Sequence, residues 1–405
     1  MIPFLEERAD WKLFLITAGL VILGVVSVYS AVYDAKMSDI FHKQIFWVAG
    51  GIIVFVFLWA TPFRFFQFIS YPAYIGSLAM LLAVLLLGRT VSGSTSWFNL
   101  GAFRLQPSEF TKITTAMALA QYLSQPDVSL KQMRHLATAT GIVLAPVFLI
   151  MLQPDLGTAI IFLGLYLPVI YWGGASPFSL IAIVAPMITG ISALFGITPF
   201  VIAVLVVGAL LFITREHNLV AAVAFSIAVL VGISVQGIYD GLKPYQQKRI
   251  ATFLDPSADP LGSGYNILQS KVAIGSGGLF GKGYLKGTQT QLNFIPEQWT
   301  DFIFCVPGEE FGFVGAITVL GLSLGLLWRG VSIASMVKNR HASYLAIGFV
   351  GIFAAHMFIN IGMAVGMMPV IGVPLPFLSY GGSSLLASMI MTGILMNLYA
   401  HRKEY

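Results

Sequence analysis

Gln291-Leu-Asn-Phe-Ile-Pro-Glu-Gln-Trp-Thr-Asp-Phe-Ile-Phe304 lies near the end of the only long polar segment of the chain, which runs from about Tyr239 to Pro307. Eight glycines lie between Gly262 and Gly287 in this segment. A loop of such length is uncommon unless it is functional or disordered. Aromatic and apolar side chains are spread through it, whereas disordered segments are poor in them. The sequence therefore predicts a folded loop that carries an active site beside a membrane.

The composition of the whole chain is that of a membrane protein. Hydrophobic residues make up 57% of the 405 residues and charged residues only 10%, whereas soluble domains have about 25% charged residues. The acidic residues Glu6, Glu7 and Asp10 precede the first apolar run, so we expect that run to be kept as a span and not removed as a signal peptide. Cys305 is the only cysteine, which excludes an internal disulfide and a cysteine-based metal site.

Apolar runs of about 20 residues, the length that crosses a hydrocarbon core of about 30 Å, predict an all-α polytopic membrane protein. We expect about ten to twelve transmembrane helices, one long extracytoplasmic loop (about 239–307) and a single domain over residues 1–405. The fourth and eighth runs are the shortest. The runs lie near 12–33, 44–61, 68–88, 108–124, 137–152, 156–173, 177–195, 198–213, 218–238, 308–329, 342–366 and 379–400.

The basic residues predict the orientation of these helices. If the N-terminus is inside, the short outer segments hold only Lys36, Lys43, Arg89 and Arg104, and most other lysines and arginines outside the long loop fall on inner segments. This asymmetry is what the positive-inside rule requires, and long loops are exempt from it. We expect both termini in the cytoplasm and the long loop outside. The basic residues are thus explained by topology, and we expect no nucleic-acid partner.

Gln106-Pro-Ser-Glu109 opens the fourth run, and Lys112 follows one turn later. Proline and an acid in the first turn are typical of a helix start, so Glu109 has a structural interpretation. A lone charge at membrane depth costs about 2.5–3.5 kcal/mol, and Lys112 shares a helix face with Glu109. The spacing predicts an ion pair, and it leaves open whether that pair lines a polar cavity or is only structural.

Two further motifs have both a structural and a functional interpretation. In Gln153-Pro-Asp-Leu-Gly-Thr158, Asp155 is either a helix cap or, because it shares the outer face with the loop, a site residue. Gly275-Ser-Gly-Gly-Leu-Phe-Gly-Lys-Gly283 fails the Walker pattern. Its glycines either permit tight turns or present amides, beside nearby lysines, to an anionic diphosphate. Those lysines are Lys271, Lys282 and Lys286.

Asp301 precedes the apolar sequence Phe302-Ile-Phe-Cys-Val306. It is therefore either the N-cap of the next helix or, at the outer water–lipid boundary, a general base. Glu309 and Glu310 follow, and at least one of them needs a partner or a hydrated cavity. His356 and Asn360 are four residues apart, a spacing that favours hydrogen bonds between helices over ligand binding.

These residues resemble the SEDS family of bacterial shape, elongation, division and sporulation proteins, and in particular its RodA branch. The resemblance covers most of the chain. The motifs that carry it are Gln106–Glu109 with Lys112, Gln153–Thr158, Leu254-Asp-Pro256, Asp259–Tyr265, Gln269–Leu279, Gly287–Gln291, Pro296-Glu297, Thr300–Phe304 and Pro369–Ser383.

The resemblance implies a peptidoglycan glycosyltransferase that polymerises lipid II at the outer face of the bacterial cytoplasmic membrane. The essential aspartate of the family falls on Asp301, which would deprotonate the acceptor 4-hydroxyl in an inverting reaction. A divalent cation such as Mg²⁺ or Mn²⁺ is a candidate for stabilising the diphosphate. Implied partners are a class B penicillin-binding protein, other elongation-complex proteins and membrane lipids. Substrate contacts are expected from Glu109, Lys112, Asp155, Lys271, Lys282, Gln291, Glu297 and Ser379.

Some features depart from the family pattern. Members of the family usually have ten spans, whereas the apolar stretch at about 177–238 is long enough for two extra helices. Ser96 stands where relatives carry an arginine, Trp299 where a histidine is common, and Pro307 falls in the first turn of a helix.

Two other functions stay open on the sequence alone. The chain could be a lipid II flippase that uses the intramembrane charges, or a non-catalytic scaffold for the penicillin-binding protein.

Overall fold

The computed structural model describes residues 9–34, 37–91, 94–101, 103–215, 217–241, 247, 251, 263–292 and 294–403. Glu6, Glu7 and the motif Leu254-Asp-Pro256 lie outside the described residues, as does the start of the motif at Asp259. Fifteen helices and three strands form within them. Ten of these helices are long and apolar enough to cross a membrane. The prediction of a largely helical polytopic membrane protein is confirmed.

The bounds of the elements follow the chain in order. They are α1 (Trp11–Tyr33), α2 (Ser38–Ala60), α3 (Phe63–Leu87), β1 (Arg89–Val91), β2 (Ser94–Leu100), β3 (Phe103–Leu105), α4 (Pro107–Leu123), α5 (Met133–Leu152), α6 (Leu156–Trp172), α7 (Pro177–Leu194), α8 (Ile197–Thr214), α9 (Asn218–Asp240), α10 (Ser263–Ser276), α11 (Thr288–Gln291), α12 (Cys305–Glu310), α13 (Gly312–Met336), α14 (Arg340–Ala364) and α15 (Gly382–Ala400).

Each of the twelve predicted runs coincides with a helix, but α4 and α6 have only 17 residues. Helix α4 is also the least apolar of the twelve, because α3, α5 and α14 surround it and bury Thr111, Lys112 and Thr115. A helix shielded from lipid needs no apolar outer surface. The eighth run, which is α8, has 18 residues and is apolar enough to cross a membrane.

Three differences from the sequence expectation concern local structure. Residues 89–105 form a small antiparallel sheet in the order β1-β2-β3, which an all-α prediction omits. Asp301 is not a helix N-cap, because the next helix begins at Cys305 with Phe304 at the capping position. The predicted span at 308–329 lies in reality at Gly312–Met336, because Gly312, with a φ of +65°, separates it from α12.

The described chain termini lie at one end of the helix bundle, and the polar loop lies at the other. Both described termini lie at one end, where the Asp10 amide contacts Met396 and the Asp10 carboxylate pairs with Arg329. The opposite end of α1 contacts the polar loop, since Gln298 Nε2 donates to the Ala31 carbonyl at 2.7 Å. We call these the terminal end and the loop end.

Helices α14 and α15 form the centre of the bundle, with 67% and 72% of the residues in their most apolar stretches buried. Small residues let α6 approach α14 closely. A β-carbon on Gly351 would overlap the carbonyl oxygen of Gly164, and a β-carbon on Gly164 would overlap Ala355. Close approach through small residues is a common way of packing helices in membranes.

Helices α7, α8 and α9 form a separate three-helix unit in the stretch that the sequence predicts to hold two extra helices. They pack on one another around a small apolar cluster of their own, and their main link to the rest of the bundle is a limited contact between α6 and α7. The buried residues of this cluster are Phe178, Ala185, Val207, Leu211, Ala221 and Ala228.

Gly351→Val tests the α6–α14 contact. The added side chain has to displace the α6 backbone, and overpacking of this kind typically costs about 1–3 kcal/mol. We expect a lower melting temperature in detergent, measured by loss of the monodisperse peak after heating. Gly76→Val on α3 is the matched control, because a β-carbon there meets nothing within 4 Å. Equal melting temperatures for the two variants would contradict the described packing.

Candidate active site at the loop end of the bundle

Asp301 lies at the end of a tight turn at the loop end of the bundle. The amides of Thr300 and Asp301 both donate to the Glu297 carbonyl, at 3.1 and 3.2 Å. Glu297 itself has a φ of +53°, a conformation that non-glycine residues adopt at a cost and that clusters at functional sites. The Asp301 side chain is partly exposed, and Glu297 is exposed. The turn therefore presents two carboxyl groups at the surface of the loop.

The segment Pro369–Gly381, which joins α14 to α15, holds this turn in place. Ser379 Oγ donates to the Thr300 carbonyl at 2.6 Å, and the Tyr380 amide donates to the Trp299 carbonyl at 2.8 Å. Gly372 lies beneath the Asp301 carboxylate, since a β-carbon there would be 3.3 Å from Oδ2. We call residues 369–381 the joining segment. It fixes the backbone on both sides of the turn and leaves the Asp301 carboxylate over a glycine.

Asn360 on α14 links the turn and the joining segment. Its Nδ2 donates to the Asp301 carbonyl at 2.9 Å and to the Val373 carbonyl at 2.8 Å. Asn360 is fully buried. The expected hydrogen bond between helices is confirmed for His356, which contacts Lys112 on α4, whereas Asn360 binds irregular backbone and thereby ties the position of Asp301 to one of the two central helices.

Three helix N-termini meet beside the joining segment. Asp155 caps α6 by accepting from the Thr158 amide at 3.0 Å, which confirms its structural interpretation. Gln106, immediately before α4, donates from Nε2 to Asp155 Oδ2 at 3.2 Å and from its amide to Ser383 Oγ, in the first turn of α15, at 3.1 Å. Helix N-termini carry partial positive charge and favour anions.

The start of α6 also contacts the joining segment, because a β-carbon on Gly157 would lie 2.7 Å from the Ile371 carbonyl oxygen. The residue after Ile371 is the glycine beneath the Asp301 carboxylate. The cluster of helix N-termini and the Asp301 turn thus share one segment of backbone.

The predicted pair of Glu109 and Lys112 is confirmed, and the structure adds a third member. Lys112 Nζ lies 2.8 Å from Glu109 Oε1 and 2.7 Å from His356 Nε2, while His356 Nδ1 lies 3.0 Å from the Pro374 carbonyl oxygen. All three side chains are buried. The network extends from α4 across α14 to the joining segment. In this arrangement the Lys112 ammonium is engaged by protein groups, so substrate binding by Lys112 stays a prediction.

The glycine-rich part of the loop wraps around α12. The amides of Lys282 and Gly283 donate to the Glu309 and Glu310 carbonyls, each at 3.0 Å. The Glu309 carboxylate accepts from Lys282 Nζ at 2.7 Å. It also accepts from the amides of Thr288, Gln289 and Thr290 at 2.8–2.9 Å. Burial would raise the pKa of Glu309, but these donors outweigh it and hold the pKa below its ordinary value.

Glu310 has a different environment although it is the next residue. Its Oε1 accepts from Ser30 and, at 3.0 Å, from Gln291 Nε2. Burial raises the pKa of Glu310, and these hydrogen bonds oppose the shift without cancelling it. Gln291, predicted as a substrate contact, is buried and bound to α1 and α12.

The remaining predicted site residues lie at three separate positions. Lys271 is exposed on α10, and its Nζ lies over Gly366 just after α14. Lys282 lies at α12 with Glu309, and Ser379 is buried against the Asp301 turn. The structure thus brings Asp301, Glu297 and Ser379 together and joins Asp155 to them through the joining segment.

Sequence reasoning missed two residues at this site, Arg104 and the side chain of Gln106. Gln106 opens the motif in which only Glu109 was predicted as a site residue. The residues that Gln106 contacts, Asp155 and Ser383, lie 49 and 277 positions away in the sequence. Arg104 on β3 is close to Tyr380 of the joining segment. Burial raises the pKa of Tyr380, and the charge of Arg104 opposes that shift. Arg104 therefore supplies a positive charge at the loop end, although Ser96 replaces the arginine expected on β2.

The fold and this site define a class, an integral membrane protein that holds a carboxylate and several helix N-termini together at one end of its bundle. Comparison with known proteins identifies it further. The chain belongs to the FtsW/RodA/SpoVE family, because the family model described as "Cell cycle protein" matches residues 10–207 and 195–404. The resemblance seen in the sequence motifs is confirmed.

Curated relatives match over nearly their whole length. The peptidoglycan glycosyltransferase RodA of Treponema pallidum is 36% identical, with 97% of this chain and 98% of the relative covered. The peptidoglycan glycosyltransferase MrdB of Escherichia coli K12 is 35% identical, with 98% and 97% covered. The stage V sporulation protein E of Bacillus subtilis is 34% identical, with 97% of each covered.

Two solved structures share the fold. One is a chain of a peptidoglycan synthase complex that coordinates polymerization and crosslinking; its TM-score is 0.75 at 31% identity, with 98% of this chain and 99% of that chain covered. The other is the rod shape determining protein RodA of Thermus thermophilus. Its TM-score is 0.66 at 26% identity, with 98% of both chains covered.

Charge removal in the buried network is a test of its structural role. Lys112→Met leaves the Glu109 carboxylate buried without its cation, and breaking a buried pair typically costs about 3–5 kcal/mol. We expect a clear fall in melting temperature for Lys112→Met and for Glu109→Gln. The double variant removes both charges and should recover most of the loss. If the two single effects simply add in the double variant, the side chains are not coupled and the described ion pair is wrong.

Proposed function

We propose that this chain is a peptidoglycan glycosyltransferase that polymerises lipid II into glycan strands during cell elongation, with Asp301 as its general base. Relatives of 35–36% identity that match over nearly the full chain are peptidoglycan glycosyltransferases by name. The observation that carries the assignment of Asp301 is its placement. It is a partly exposed carboxylate on a turn whose backbone is fixed by Asn360 and Ser379.

The reaction needs one base on the attacking side. Asp301 would accept the proton of the acceptor 4-hydroxyl while that oxygen attacks the anomeric carbon of the donor sugar, with inversion at that carbon. The fixed backbone holds the carboxylate in one position, and positioning of reacting groups contributes strongly to rate. The leaving diphosphate requires stabilisation of negative charge more than a proton donor.

Several groups at the loop end are suited to that negative charge. The N-termini of α4, α6 and α15 meet beside the joining segment, that of α6 being already capped by Asp155, and Arg104 lies near Tyr380. Broken or short helices that direct their N-termini at anionic substrate groups are a known arrangement in membrane proteins. Lys271 is exposed and is a further candidate, whereas the Lys282 ammonium is bound by Glu309.

A divalent cation such as Mg²⁺ or Mn²⁺ is compatible with the donors present. Among the described residues no group of three or more His, Cys, Asp and Glu side chains is arranged to hold a metal ion. Mg²⁺ is, however, commonly held by one or two carboxylates together with substrate phosphates. Glu297, on the same turn as Asp301, would supply such a carboxylate. The ion would neutralise charge on the diphosphate.

We also propose the setting in which the enzyme works. A bacterial cytoplasmic membrane with both termini inside and the polar loop outside agrees with the distribution of basic residues and with the location of termini and loop at opposite ends of the bundle. The similarity to a chain of a peptidoglycan synthase complex supports a class B penicillin-binding protein as partner. A flippase has less support, because the buried charges that suggested it are paired with each other.

Lipid II polymerisation by the purified protein with its transpeptidase partner tests the proposal. Asp301→Asn removes the base and keeps the size of the side chain, and loss of a positioned base typically costs about 10²–10⁴ in rate. Asp39→Asn is the control, an exposed aspartate in the first turn of α2. We expect loss of glycan strands in Asp301→Asn alone, at matched melting temperature and complex formation. Activity of Asp301→Asn equal to that of the control would contradict the assignment.

A further inference from the structure

Three successive backbone amides, those of Thr288, Gln289 and Thr290, lie just after the glycine-rich motif Gly275–Gly283 and bind an anion that belongs to the protein itself. Glu309 is fully buried, and its carboxylate receives five donors from the loop: three backbone amides, the Thr288 hydroxyl and the Lys282 ammonium. Successive backbone amides of this kind form concave anion sites. The Glu309 carboxylate thus holds the Lys282 ammonium next to the amides of residues 288–290.

Glycines allow the loop to come this close to α12. A β-carbon on Gly287 would lie 2.8 Å from Glu309 Oε2 and would overlap the Thr290 hydroxyl. A β-carbon on Gly277 would overlap the Gly308 carbonyl oxygen, and one on Gly281 would overlap the Glu310 carbonyl oxygen. At these three positions a larger residue would push the loop away from Glu309.

A continuous series of contacts connects Glu309 with the turn that carries Asp301. The Glu309 carboxylate holds the Thr290 amide, and the Thr290 carbonyl accepts from Gln298 Nε2 at 2.8 Å. Gln298 is fully buried and lies three residues before Asp301. From the other side, α12 itself begins only four residues after Asp301. The Asp301 turn therefore lies between residues 288–290, which it contacts through Gln298, and helix α12. The Glu309 carboxylate joins these two elements.

We propose that Glu309 is a positioning residue that acts as the permanent anion of this amide cluster and fixes the Asp301 turn in its active geometry. Glu309 touches none of the reacting groups. Its effect on the rate rests on the proposed function of Asp301, whereas its effect on the folding of residues 282–291 does not. A neutral side chain at position 309 leaves Lys282 and the three amides without their acceptor, so the loop should detach while the transmembrane bundle stays intact.

Glu309→Ala combined with chemical rescue tests the inference. Removal of the carboxylate leaves an empty anion site beside Lys282, which is partly exposed and therefore reachable by small ions. We expect turnover of lipid II to fall by about 10–100-fold with little change in KM, since small displacements of a reacting group cost about 10²-fold. Sodium formate should restore turnover several-fold, and sodium chloride at equal ionic strength should not. Wild-type activity should respond equally to the two salts.

Hydrogen exchange of residues 282–291 separates this inference from the proposed function. In Glu309→Ala these amides should exchange faster and should be protected again by formate, whether or not the protein polymerises lipid II. If wild type lacks polymerase activity but this exchange pattern is seen, the proposed function fails and the structural role of Glu309 stands. If Glu309→Ala retains wild-type turnover, or if its amides stay protected without formate, the inference is overturned.

Gly287→Ala covers the case in which Glu309→Ala does not fold. It leaves every charge in place but crowds Glu309 Oε2, so it should also raise exchange at 282–291 and lower turnover. Gly275→Ala is the matched control, because a β-carbon there meets nothing within 4 Å. Indistinguishable exchange and turnover in these two glycine variants would equally overturn the inference.

Discussion

The carboxamide of Asn360 makes the interaction on which the loop end depends. It binds the carbonyl groups of Asp301 and Val373, and so joins two irregular stretches of backbone to a buried helix. Irregular backbone near a membrane is tolerated only where protein or water satisfies its polar groups. By satisfying one carbonyl in each stretch, Asn360 allows an aspartate on a turn to lie at a defined place above the bundle. Ser379 and the backbone of Tyr380 complete this arrangement.

Three buried charged groups, those of Lys112, Asp10 and Glu309, are matched by other groups of the protein, and each match joins distant elements. Lys112 joins α4 to α14 through Glu109 and His356, and Asp10 joins α1 to α13 through Arg329. Glu309 joins the glycine-rich loop to α12. Breaking such pairs is costly, which favours one arrangement of the elements over others. Two of these interactions, those of Lys112 and Glu309, reach the joining segment or the glycine-rich loop and therefore also contribute to the geometry of the loop end.

The sequence predicted the features that depend on short-range pattern. Apolar runs located the membrane helices, and the spacing of Glu109 and Lys112 predicted their pair. The small sheet at residues 89–105 was missed, because β1 and β3 have only three residues each and the β2 sequence Ser-Thr-Ser-Trp-Phe-Asn-Leu does not alternate between polar and apolar residues. The hydrogen bonds from backbone amides to Glu309 could not be predicted either, because nearly every residue has a backbone amide and no residue type indicates which amides bind a carboxylate. Asp301 was open to interpretation as a cap because the sequence does not show that the helix starts only at Cys305.

A structure of the Asp301→Asn protein with bound lipid II tests the central claim most directly, because that claim concerns where the acceptor sugar lies. The account predicts that the acceptor 4-hydroxyl lies within hydrogen-bonding distance, about 3 Å, of the residue 301 side chain. It also predicts the diphosphate beside the N-termini of α4, α6 and α15. Lipid II bound with its sugars away from the turn at 297–301, and with another group at the 4-hydroxyl, would contradict the account.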